Sequence, residues 1–269
     1  MSATARRIRA GALVALVSVA ACDDPTAPDD TPPELPAAET MTFDFDFFDQ
    51  GASIGSVAPA GPARQASAGP HWGAAALTVG LANVSVVVHL FVPVATWRAA
   101  ASHSPVFEDG AWHWRYSVTQ GGQSFSSDLS GFRDGDDRVF EMSISSSALQ
   151  LENFLWYRGR APIGGTSGTW EFFDPDAQST VAGRIEWSHP AADRRILTFT
   201  AVSGENVGDE LTYETDGADR FVTFFDVSEN RSYEVYWDAL TNAGYIVSPG
   251  YNGGEKACWD GALQNTPCA

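Results

Sequence analysis

The chain has 269 residues with 34 acidic and 16 basic side chains, a net charge of −18. Such a surface repels phosphate backbones and anionic headgroups, which argues against nucleic-acid binding and against a basic membrane patch. One Lys, Lys256, among the 16 bases excludes a polybasic segment, and 44% hydrophobic residues are enough to build a sizeable core.

In chain order, Arg6, Arg7 and Arg9 precede an apolar run from Ala10 to Ala21, closed by Val19-Ala20-Ala21-Cys22. A positive n-region, a short apolar h-region and small residues before a cleavage point form a secretory signal over 1–21. The ending resembles the lipobox of bacterial lipoproteins. That resemblance implies that the Cys22 thiol is diacylated, that cleavage makes Cys22 the first residue, and that the partner is a membrane reached through the lipid. Loss of Arg6, Arg7 and Arg9 would leave 34 acids against 13 bases, a net charge of −21. The implied address is the cell envelope, on the outer membrane of a Gram-negative bacterium, at its periplasmic or surface face. The acidic stretch after Cys22 resembles surface-export signals, whereas Asp23 resembles an inner-membrane retention signal in other lineages.

Residues 22–40 are rich in Pro, Asp and Ala and lack the apolar content to fold, so they read as a disordered tether. Met41-Thr-Phe-Asp-Phe-Asp-Phe-Phe48 alternates with period two and predicts a first strand. Gly51–Gly69 is small and Pro-containing and reads as a long loop. Within a helical segment spanning 72–101, Ala74–Leu90 is apolar on nearly every side, the mark of a buried helix. Pro93 should break it, with Trp97–Ala101 as a second short piece. The β-branched run Val84–Val88 would equally suit a buried strand. Polar and Gly/Pro interruptions keep this stretch from reading as a transmembrane span.

From Ala111 onward, strands recur every 10 to 15 residues between turn clusters such as Asp134-Gly-Asp-Asp137 and Asp174-Pro-Asp176. The fold class is mainly β: a single domain over 41–269, an antiparallel up-and-down meander of about ten to eleven strands. That many strands should curl into a barrel or half-barrel with one or two apolar helices packed in or on it. Cys258 and Cys268 make an even pair suited to a disulfide that pins the C-terminal tail.

Trp114, Tyr116, Trp156, Trp170, Trp187, Tyr213 and Trp237 fall on the apolar face of their strands and are the candidate wall for an apolar or amphipathic ligand. Core filling against the helix is the competing role for the same residues. Glu171, Glu186, Glu214, Glu234 and Asp238 lie mostly opposite that face, and no pair of carboxyls, nucleophile or metal spacing stands out. No catalytic residue, metal ligand or cofactor is therefore assigned. At the level of fold, a lipid-anchored antiparallel half-barrel with apolar helices resembles the lipoprotein carriers and chaperones of the bacterial envelope, and loosely the lipocalins. That resemblance implies non-enzymatic ligand binding. The alternative is a structural or protein-interaction lipoprotein, its barrel plugged by the helix and its protein partner unknown.

Overall fold

A computed structural model describes residues 31–48, 68–120 and 122–268. The signal segment, Cys22 and most of the Gly51–Gly69 loop lie outside the described residues. One helix and one sheet account for nearly all the regular structure. Helix α1 is Pro70–Ala100. The strands are β1 Val106–Glu108, β2 Ala111–Gln120, β3 Gln123–Asp134, β4 Asp137–Ser146, β5 Leu151–Pro162, β6 Ser167–Phe173, β7 Val181–Ala191, β8 Arg194–Ala201, β9 Glu210–Asp216, β10 Asp219–Asp226, β11 Arg231–Asp238, β12 Gly244–Val247, β13 Ala257–Trp259 and β14 Asn265–Thr266.

All 14 strands form one antiparallel sheet in strict sequence order, so each strand pairs with the one before and the one after it. The expected meander is present, with three short strands more than the sequence pattern reveals. The sheet does not close: β1 and β14 are its two free edges. It nevertheless bends. The adjacent α1 residues Thr96 and Trp97 touch Tyr116 of β2 and Trp170 of β6, strands that would lie about 19 Å apart in a flat sheet. Side chains that stand upright on a sheet converge in this way only if it curls toward the helix.

Alternation along the strands sets the two faces. Leu197 and Phe199 of β8, Leu211 and Tyr213 of β9, and Val235 and Trp237 of β11 are buried on the concave side. On the convex side, Arg158 reaches Glu141 (2.8 Å), Arg160 reaches Asp137 (2.7 Å) and Asp134, and Arg184 reaches Glu171 (2.9 Å) across neighbouring strands. These half-exposed pairs keep the outer face soluble and contribute little stability.

Helix α1 starts at Pro70, whose missing N–H costs nothing at a first helical position. Its buried residues Trp72, Ala75, Val79 and Ala82 repeat at steps of three and four, and Leu90, Val94, Trp97 and Ala100 continue the stripe. The opposite face carries exposed Leu77 and Leu81. Pro93 does not break the helix, contrary to the expectation from sequence; one helix runs through it to Ala100.

The predicted strand at Met41–Phe48 is corrected. Met41, Phe43 and Phe45 are buried in alternation as read, but the segment pairs with no strand. It is a 3-10 helix at Ala38–Met41 followed by an irregular arm laid on the concave face. Period two records which side chains are buried, and here tertiary packing supplies that pattern without a ladder. Residues 34–36, expected to belong to a disordered tether, instead contact the domain. Leu35 packs on the core, the Pro36 carbonyl accepts the Trp97 indole N–H at 2.9 Å, and the Glu34 carbonyl accepts from Arg138 at 3.2 Å.

At the other terminus, Cys258 and Cys268 form a disulfide with Cα atoms 5.3 Å apart. The loop it closes clamps the start of α1. The Gly69 N–H donates to the Leu263 carbonyl (2.7 Å), and the His71 N–H donates to Asn265 Oδ1 (3.0 Å). Asn265 therefore caps the helix from a distant part of the chain, in place of a local Ser or Asp. A Cβ at residue 69 would lie 2.6 Å from that Oδ1, so only glycine permits the approach.

Candidate functional site

The concave face is the site that the sequence nominates, and all seven candidate wall residues lie on it or at its margin, buried. What they face is the chain itself. Trp170 meets Trp97 of α1 edge-to-face at 4.8 Å, and its indole N–H donates to Thr40 Oγ1 at 3.1 Å. Trp237 stacks on Phe47 at 5.6 Å and meets Phe48 edge-to-face at 5.0 Å. Tyr213 packs against Phe45 at 5.6 Å, with the Arg195 guanidinium over its ring at 5.7 Å. The Tyr116 hydroxyl donates to the Thr96 carbonyl of α1. Trp156 packs on Phe125 and Phe154, Trp187 neighbours His189, and Trp114 approaches the Gly131 backbone.

The structure brings in further aromatic residues that the strand pattern does not single out. Trp72, Trp97, Trp259, Phe140 and Tyr157 are among the most deeply buried side chains. Tyr157 escapes a period-two reading because the β4–β5 register shifts between Met142 and Ser143, leaving adjacent Trp156 and Tyr157 both inward. Burial pushes the hydroxyl pKa of Tyr116, Tyr157 and Tyr213 upward, Tyr213 to about 12. These phenols stay neutral and act as core groups, with Tyr116 and Tyr157 also bonded to Thr96 of α1.

A cavity of about 120 Å³ lies where α1 passes the β8–β9 end, lined among others by Ala82, Phe199, Leu211 and Phe224. A shallower cleft along the arm is lined by Glu39, Asp44, Asp46, Arg98 and Arg195. Burial, and then the charge of Asp44, raises the Asp46 pKa.

Four of the five strand carboxylates named from the sequence are held by neighbouring groups. Glu171 pairs with Arg184 and Glu214 with Arg194, Glu234 accepts the Tyr245 hydroxyl, and Asp238 accepts the Leu240 and Thr241 amides of a turn. Asp134 and Asp137 flank the β3–β4 hairpin and are held by Arg160. Among the described residues, no group of three or more His, Cys, Asp or Glu side chains is arranged to hold a metal ion. No helix among them is long and apolar enough to cross a membrane.

The class that this geometry defines is an open antiparallel meander filled by its own helix and N-terminal arm. No protein-family model, curated protein or solved structure matches the chain.

Proposed function

We propose that this is a lipid-anchored, non-enzymatic protein of the bacterial cell envelope that works through protein contacts on its surface. In this reading the curled sheet is a half-barrel plugged by α1, tethered through Cys22 to the outer membrane. One observation carries it: of the seven residues that would touch an apolar ligand, Tyr213, Trp237 and Trp170 touch Phe45, Phe47, Phe48 and Trp97 instead, and Tyr116 donates to Thr96 of α1. A ligand on that face would have to displace the arm or the helix, and exposing a single buried Trp or Phe costs roughly 1.5–3 kcal/mol. The disulfide supports an oxidising compartment. The basic n-region and the small residues before Cys22 support the anchor.

Native mass spectrometry tests this on the full chain, expressed in a Gram-negative host and released from membranes in mild detergent. The expected species is residues 22–269 with acyl groups on Cys22, two hydrogens lighter for the disulfide, and no reproducible adduct. An unprocessed or unacylated mass would overturn the anchor. An adduct removed by solvent extraction would replace the plugged reading with that of a carrier.

A further inference from the structure

We propose that the cavity at the β8–β9 end receives an apolar side chain of a protein partner, with an Arg or Lys of that partner beside it. The inference rests on the surface-contact reading above and names the chemistry of the contact. The cavity floor is apolar, built from Ala82 of α1 together with Phe199, Leu211 and Phe224, and Ala201 forms a wall. Its volume of about 120 Å³ compares with about 150 Å³ for an apolar protein cavity that accepts benzene. A branched group of about four carbons therefore fits.

The mouth has the opposite character. Glu205 and Asp209 stand there with no Lys or Arg among the described lining residues. Asp209 is fixed in place by accepting the Val227 amide at 3.0 Å, whereas Glu205 is exposed on its loop. The whole chain carries −18, so a cationic neighbour to the apolar group is the complementary choice.

Apolar surface continues outside the cavity. Val207 on the β8–β9 loop is 53% exposed, and Val227 is 43% exposed. Val227 lies against Gly208 of the same loop, within about 3.0 Å of where a Cβ there would sit. A pocket with an apolar margin and a charged mouth is the anatomy of a hot spot for an anchoring side chain. A free small amine would use the cavity and leave this margin uncovered.

The test is methyl NMR on the mature full chain in phosphatidylcholine nanodiscs, observing Ala82, Ala201 and Leu211. The probes are N-acetyl-leucyl-arginine amide, N-acetyl-leucyl-glutamate amide and N-acetyl-glycyl-arginine amide. Saturable shifts with the leucyl-arginine probe alone are expected, with a millimolar Kd. Ala201→Leu should fill the cavity and weaken that binding at least about tenfold, the scale of burying one aliphatic side chain. Glu205→Gln lies on an exposed loop, leaves the fold intact, and should weaken binding about threefold at low salt, the scale of one exposed ion pair. No saturable shift, equal binding of the glutamate probe, or full binding to both variants would overturn the proposal. Those outcomes would leave the plugged interior standing, because its own test is the absence of a bound mass.

Discussion

Tyr213 shows at the scale of one residue what kind of interior this is. Its ring packs between the sheet and the arm, and burial raises its pKa from about 10 to about 12. Tyr116 and Tyr157 are raised by the same cause. The raised values make the fold sensitive to alkali. Between pH 10 and 12 the unfolded tyrosines lose their protons while the folded ones keep them, so the unfolded chain binds fewer protons. Stability should be full below about pH 10 and fall by about 1.4 kcal/mol per pH unit for each such tyrosine. Urea titrations from pH 8 to 12 should show the midpoint dropping above pH 10, together with the rise in tyrosinate absorbance. A midpoint unchanged to pH 12 would mean that these hydroxyls face solvent. Much of this residue-level picture is legible in the sequence. Alternation assigns Trp170, Tyr213 and Trp237 to the apolar face, and they are there. What covers them is less legible, because the contact between Trp237 and Phe47 joins positions far apart in the chain. Nothing local to either residue encodes it.

Among the elements, α1 depends on a cap that lies nearly two hundred residues away. The disulfide holds a short tail so that Asn265 and Leu263 meet the first amides of the helix. Replacing Asn265 with Ala should cost about 0.5–2 kcal/mol, the usual range for a lost N-cap. Cys268→Ser should cost roughly 2–3 kcal/mol by freeing so short a loop in the unfolded chain. Both are read from urea denaturation without reductant. Because both act on one clamp, the double variant should lose less than the sum of the singles. Full additivity would separate the disulfide from the cap. The strands from β2 to β12 are legible because four or more residues of alternation between turn clusters leave a period. β1, β13 and β14 have two or three residues each and leave none. Pro93 misleads for a different reason. A helix packed at both ends against the sheet, through Trp72 and Trp97, tolerates one missing backbone hydrogen bond.

For the whole molecule, the decisive property is that the sheet curls without closing and the helix fills what it encloses. Strand count alone predicts the curl. It does not fix whether the edges meet, which depends on tilt and register rather than on composition. A carrier and a permanently plugged sheet would differ in whether the helix can leave. The aromatic contacts of Trp97 with Phe140, Tyr157 and Trp170 place it at the centre of the core. A permanent core element opens only with global unfolding, whereas a lid opens at much lower cost. Hydrogen exchange read by mass spectrometry on the native full chain separates the two. Amides at Trp72–Ala82 and Val94–Ala100 should be protected to the same degree as those of β4 to β9. Exchange about a thousandfold faster in α1 than in those strands would show a helix that swings away, and would contradict a permanently filled interior.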